Sequence, residues 1–195
     1  MKYDPDIKIE ECEGVYPPHD DTFLMIQCVE VDGGEKVLEM GCGTGIVAIH
    51  CAKKGAEVTA VDINPVAVEC ALGNAELNRI ALRTIRSDLF SRVPGRYDLV
   101  LFNSPYLPVQ EEGVGVAWSG GRGGLEVVQR FLGEAIHRLR PGGRLLLMVS
   151  SRMDETALEG MISHFRCRRL GSRRFFFEKL SVLELVPIQV RPGSP

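Results

Sequence analysis

The sequence predicts a doubly wound α/β fold built on a seven-stranded, mostly parallel sheet with an antiparallel hairpin at its C-terminal edge. Three observations lead there. Short apolar runs of strand length alternate with longer runs of helical period, the pattern of βαβ units with right-handed crossovers. A glycine-rich turn, "GCGTG" (41–45), separates the first such strand from the helix that follows it. Finally, the two strand-like halves of "CRRLGSRRFFFEKLSVLELVPI" (167–188) have no helix between them, and a short connection suits antiparallel pairing.

Each element follows in order. Residues 1–21 are polar and contain prolines, so they read as an extended lead-in. "DTFLMIQCVEV" (21–31) offers Asp or Thr as a cap and apolar residues at helical spacing. "KVLEMG" (36–41) is a buried strand, and the glycine turn leads into the helix "IVAIHCAKKG" (46–55). "AEVTAVDI" (56–63) is the second strand; Asn64 and Pro65 then start a helix as N-cap and first helical residue. "LRTIRSD" (82–88) and "YDLVLFNSP" (97–105) are strands three and four. The helix "LEVVQRFLGEAIHRLR" (125–140), a "PGG" turn and the strand "RLLLMVSS" (144–151) come next, followed by the helix "DETALEGMISHF" (154–165). The terminal strands are expected to join near Gly171–Arg174 or slightly later.

Composition narrows the function. With 45 % hydrophobic and 25 % charged residues, the chain reads as one soluble domain, 1–195, large enough to bury a core. Its longest apolar stretches are too short to span a bilayer, and the N-terminus has no secretory h-region. A net charge of −3 leaves no strong nucleic-acid signal. The six cysteines form no CxxC pair, so no metal site is expected, and a chain of 195 residues that can fill a core is not expected to rely on a disulfide framework. The chain reads as cytoplasmic.

Three features gather at the carboxyl ends of the strands, where open α/β sheets bind ligands. Gly41, Gly43 and Gly45, preceded by Glu39, let the backbone turn tightly beside a ligand. The spacing is GxGxG; Ile46 stands where a dinucleotide fingerprint continues to its third glycine. Asp62, followed by Ile63, ends strand two about twenty residues on, where an acid accepts from a ribose diol. Asp88 with Leu89 ends strand three, suited to an adenine amino group and ring. No Lys or Arg sits in the glycine loop to meet a phosphate. Together these fit S-adenosyl-L-methionine better than a phosphate-bearing nucleotide.

Strand four then ends in "NSPY": Asn103, Ser104, Pro105 and Tyr106. These four residues resemble the [ND]PPY motif of methyltransferases acting on planar NH2 groups, and the resemblance implies that, beside a methyl donor, the Asn103 side-chain oxygen and the residue-104 carbonyl accept the two N–H groups of a planar amine. Both dipoles would favour charge developing on its nitrogen. Pro105 fixes the turn and Tyr106 offers a packing face. A turn without chemistry is the plain alternative for these residues.

Ser104 departs from the usual Pro, but the main-chain oxygen is retained, and Ser104→Pro is expected to give equal or higher activity. More widely, "VYPPHDDTFLM" (15–25), "LEMGCGTG" through "NSPYLP", and "AWSGGRGG" (117–124) resemble the HemK-like protein-glutamine methyltransferases, in the short archaeal and eukaryotic release-factor branch. The resemblance spans nearly the whole chain. It implies a Rossmann-like class I S-adenosylmethionine-dependent methyltransferase that N5-methylates the GGQ glutamine of a class I translation release factor. It also implies that Tyr16 and Thr22 border the cofactor, and that a small zinc-binding activator protein pairs with an exposed edge of the sheet. Residues 106–124, with Trp118 and Arg122, read as a mobile substrate lid. The alternatives are an adenine-N6 methyltransferase acting on RNA or DNA, for which the arginines between Arg166 and Arg174 are the one basic cluster, and a catalytically silent cofactor-binding subunit.

Overall fold

The structure, a computed structural model, describes residues 1–104 and 125–188. Its elements run α1 (Asp20–Cys28), β1 (Lys36–Met40), α2 (Ile46–Lys53), β2 (Glu57–Asp62), α3 (Pro65–Leu77), β3 (Arg83–Arg86), β4 (Tyr97–Asn103), α4 (Leu125–Arg138), β5 (Leu139–Ser150), α5 (Glu155–Ile162), β6 (Phe165–Arg174) and β7 (Lys179–Pro187). The seven strands form one sheet in the order β3-β2-β1-β4-β5-β7-β6. The first five run parallel, while β7 lies antiparallel to both β5 and β6.

Alternation along the central strands builds two cores. Leu38, Val100, Leu145, Leu147 and Leu185 pack with Phe131 and Leu132 of α4 and Leu158 of α5. Their neighbours Val37, Leu99, Leu101, Leu146 and Met148 pack with Leu24 and Ile26 of α1 and Val47 of α2. Strands covered on both faces lose the hydrophobic–polar alternation of a half-exposed sheet, which is why "YDLVLF" and "RLLLMV" read as continuous apolar runs.

Helix starts follow local chemistry. The Asn64 side chain accepts from the Val66 N–H ahead of α3, and Asp154 accepts from Ala157 in α5. The α1 start differs from the expected Asp or Thr cap: His19 precedes the helix, and its N–H donates to Thr22 Oγ1 at 3.3 Å. β5 also begins earlier than expected. Leu139 already pairs with Tyr97, and the "PGG" segment is a bulge within the strand before Arg144 resumes the register opposite Leu99. The β6–β7 turn falls at residues 175–178, closed by Phe175 N–H donating to Glu178 O at 2.7 Å.

The lead-in is held along α3. Asn74 and Asn78, one helical turn apart, exchange amide hydrogen bonds with the backbone of Glu10 and Lys8. Cys70, one turn earlier, is disulfide-bonded to Cys12, with Cα atoms 6.2 Å apart. The expectation that no cysteines pair is corrected here. Spacing along the chain does not reveal that the Asn74–Asn78 clamp lays residue 12 against residue 70. Closing a loop of 58 residues stabilises by about 4 kcal/mol in the chain-entropy account. Cys12→Ser is therefore expected to lower the melting temperature by several degrees, and dithiothreitol to lower that of the parent but not of the variant.

Candidate active site

The carboxyl ends of β1 to β4 open onto one cavity of about 330 Å³. It sits where the strand order reverses, with β1 flanked by β2 and β4. Its volume falls within the roughly 300–1,000 Å³ of small-molecule sites. Tyr16, Thr22, Glu39, Gly41, Gly43, Asp62, Ile63, Asp88, Leu89, Asn103 and Ser104 all line it. Gly45 does not; a Cβ there would lie 2.8 Å from the Ala71 Cβ. This third glycine thus serves close packing of α2 on α3. Pro105, Tyr106, Trp118, Arg122 and the expected lid lie outside the described residues.

The glycine loop is shaped by Asp62. Gly43, at φ +53, donates its N–H to Asp62 Oδ2 at 3.0 Å, and Asn64 donates to Oδ1 at 2.9 Å. With the Ile63 N–H also bonded to it, the carboxylate still keeps acceptor capacity for a diol. Burial raises the Asp62 pKa above its ordinary value, against the pull of these hydrogen bonds. Across the loop, the backbone oxygen of Tyr16 lies within ordinary contact, 3.5 Å, of a Cβ built on Gly43. The lead-in thus forms one wall of the cavity.

Glu39 plays a different part. The α2 N-cap is Gly45, which has no side chain to offer, and Glu39 Oε2 instead accepts the Ala48 N–H at 2.8 Å. Burial, opposed by this hydrogen bond and reinforced by the charge of Asp62, raises the Glu39 pKa to about 8 from an ordinary 4.5. The folded protein therefore holds this proton more tightly than the unfolded chain, so stability falls as pH rises from about 4.5 to about 8. Glu39→Gln keeps a neutral acceptor for Ala48. It is expected to flatten this decline, read as the melting temperature between pH 5 and 8.

At the end of β3, Asp88 Oδ2 accepts from Arg130 of α4 at 2.9 Å, and both residues line the cavity. Nothing in the sequence connects these two positions, 42 residues apart. Leu89 adopts φ +43, a left-handed conformation costing a non-glycine residue roughly 1–2 kcal/mol. Such strain collects at functional sites.

At the end of β4, the Asn103 amide nitrogen donates to Asp21 Oδ2 at 3.0 Å. Its amide oxygen is buried and has no partner among the described residues. Asp21, itself buried, escapes a reading of the sequence because it looks like a helix cap. Ser104 is also buried, and its hydroxyl donates to the Met148 carbonyl at 2.7 Å, tying the end of β4 to β5. Proline cannot make this bond. Ser104→Pro is therefore expected to cost about 1 kcal/mol of stability, read as a lower melting temperature, beside the equal or higher activity expected of it. Among the described residues, no group of three or more His, Cys, Asp or Glu could hold a metal ion, and no helix is long and apolar enough to cross a membrane.

A sheet of this order, with the glycine loop after β1 and the ligand-sized cavity at the switch point, defines the fold of a class I S-adenosylmethionine-dependent methyltransferase. Residues 18–173 match the family model described as methyltransferase small domain. A Methanocaldococcus jannaschii protein named as a putative protein N5-glutamine methyltransferase is 40% identical over 155 residues, 76% of this chain and 79% of that one. Mouse methyltransferase HEMK2 is 34% identical over 195 aligned residues, covering 87% and 88%. Among solved structures, the E. cuniculi Mtq2–Trm112 complex, described as responsible for methylating the eRF1 translation termination factor, superposes with a TM-score of 0.72. It is 23% identical and covers 90% of this chain and 99% of that one. The chain belongs to the methyltransferase small domain family and, within it, to the HemK-like glutamine methyltransferases.

Proposed function

We propose that this enzyme methylates N5 of the glutamine in the GGQ loop of a class I translation release factor, with S-adenosylmethionine as donor. The observation that carries the reading is the buried Asn103 amide oxygen, without a partner among the described residues, at the end of β4 beside the cavity. An orphaned buried acceptor costs about 1–3 kcal/mol, and a substrate N–H would relieve that cost.

The donor set fits this cofactor. Asp62 retains acceptor capacity for a ribose diol, Asp88 keeps Oδ1 for an amino group beside the Arg130 pair, and Gly41 and Gly43 leave room for close approach. When bound, S-adenosylmethionine supplies an electrophilic methyl group. The chain's own contribution is orientation and electrostatics. Asn103 Oδ1 and the Ser104 carbonyl would accept the two N–H groups of the glutamine amide and so orient its nitrogen toward the methyl donor. The same two dipoles favour the positive charge that grows on nitrogen. No general base is required to start the reaction, because the nitrogen becomes acidic only as the new N–C bond forms, and its proton would then leave to solvent.

A small zinc-binding activator is the proposed partner, and the β3 edge is its proposed docking face. β3 is an edge strand of the sheet, and α3 beside it exposes Val66, Leu72 and Leu77, with Ile63 at its start. Covering such an edge removes an aggregation risk. A nucleic-acid substrate finds less support. Of the five arginines on β6, Arg168 pairs with Glu184 and Arg173 with Asp20.

The test offers labelled S-adenosylmethionine to a release factor and to bulk RNA side by side, with and without the activator. Label on the release factor, lost when its GGQ glutamine becomes alanine, is the expected result. Label on RNA alone would overturn the assignment.

A further inference from the structure

An asparagine amide and its flipped form fill almost the same space, since the amide oxygen and nitrogen differ little in size. Turning the Asn103 amide by half a rotation would present N–H2 to the incoming amine, donor against donor, and destroy the acceptor that the proposed function requires. Something must select the productive orientation before substrate arrives.

Asp21 has the chemistry to do so. It lies in the first turn of α1, only 3% exposed. Its Oδ1 accepts both the backbone N–H of Thr22 at 2.7 Å and the Thr22 hydroxyl at 3.2 Å. Thr22 Oγ1 in turn accepts from the His19 N–H. The carboxylate is therefore fixed on its own helix, with Oδ2 placed to meet Asn103 Nδ2 at 3.0 Å. A carboxylate only accepts hydrogen bonds. Facing it, the amide is stable with nitrogen toward Asp21, and the flipped form sets oxygen against oxygen. Hydrogen bonds to an ionised acceptor are roughly twice as strong as neutral ones, and they also polarise the amide, increasing the negative charge on Oδ1.

We propose that Asp21 is a positioning residue: its carboxylate locks the Asn103 amide so that Oδ1, and not Nδ2, is offered to the substrate nitrogen. The site thereby selects planar NH2 donors, such as a carboxamide, over acceptor-only groups. This proposal rests on the reading of Asn103 as the acceptor of a substrate N–H.

The experiment compares Asp21→Asn, Asn103→Asp and the double swap with the parent protein, using a release factor as methyl acceptor. Asp21→Asn is expected to lower kcat at least tenfold while the cofactor Kd moves less than threefold. Asn103→Asp sets two carboxylates face to face and is expected to be at least as inactive. In the double swap, the amide now on α1 donates to the carboxylate now ending β4, which keeps an outward oxygen, so activity should recover at least tenfold over Asn103→Asp alone. A merely structural role for Asp21 predicts no such recovery. Substrate-free NMR gives a second readout: the side-chain N–H2 pair of Asn103 should be protected from exchange in the parent and lose protection in Asp21→Ala. A folded, cofactor-binding double swap no more active than Asn103→Asp, or Asn103 amide protons unchanged in Asp21→Ala, would overturn the proposal. Full activity in Asn103→Ala would instead remove the reading of Asn103 on which it rests.

Discussion

Replacing Asn103 by alanine is expected to reduce turnover about 10²–10³-fold, the loss typical of removing one preorganised dipole from a developing charge. The cofactor should bind almost as before. The reason lies in how the residue is held. Its nitrogen is committed to Asp21, while its oxygen has no partner among the described residues, so the protein already bears the cost of a buried, unmet acceptor. A substrate amide arriving at the rim can satisfy it. Single-turnover kinetics at saturating cofactor, beside a direct measurement of cofactor affinity, separates the two effects. An alanine variant with parental turnover would mean that the end of β4 is a turn and nothing more.

The opposite split is expected at Asp62. Asp62→Ala should weaken cofactor affinity about 10- to 100-fold, equivalent to the roughly 1.5–3 kcal/mol of hydrogen bonds to a charged group. Turnover at saturation should change only a few-fold. Asp62 also accepts from the backbone of Gly43 and Asn64, so alanine strands two N–H groups and should cost stability as well. Asp62→Asn distinguishes these roles. Its amide oxygen can still serve one of the two backbone donors, but the second position becomes a donor and repels a diol proton. Titration calorimetry and thermal melts should therefore show Asp62→Asn regaining melting temperature over alanine while regaining little affinity. Equal affinity in all three proteins would remove Asp62 from the cofactor site.

These two residues illustrate why much of the site is legible in the sequence. Asp62 and Asn103 end strands two and four, and strand ends of a parallel sheet converge on one rim whatever the details of packing. Once "AEVTAVD" and "YDLVLFN" read as buried strands, the last polar residue of each has to face that rim. The glycine loop is equally visible, although its members differ in what they do. Gly43 bonds to Asp62, while Gly45 brings α2 onto α3.

Periodicity and residue chemistry determined the order of the elements, the parallel core, the terminal hairpin and the rim on which glycines, acids and an amide would meet. Those follow from local rules: strand length, helix caps and the handedness of crossovers. What only the tertiary structure decided were the pairings between residues distant along the chain. Asp21 reaches Asn103 across 82 residues, Arg130 reaches Asp88 across 42, and Cys12 meets Cys70 across 58. Each depends on how one element packs against another, and a hydrogen bond or disulfide is set by distances of a few ångströms that spacing in sequence does not encode.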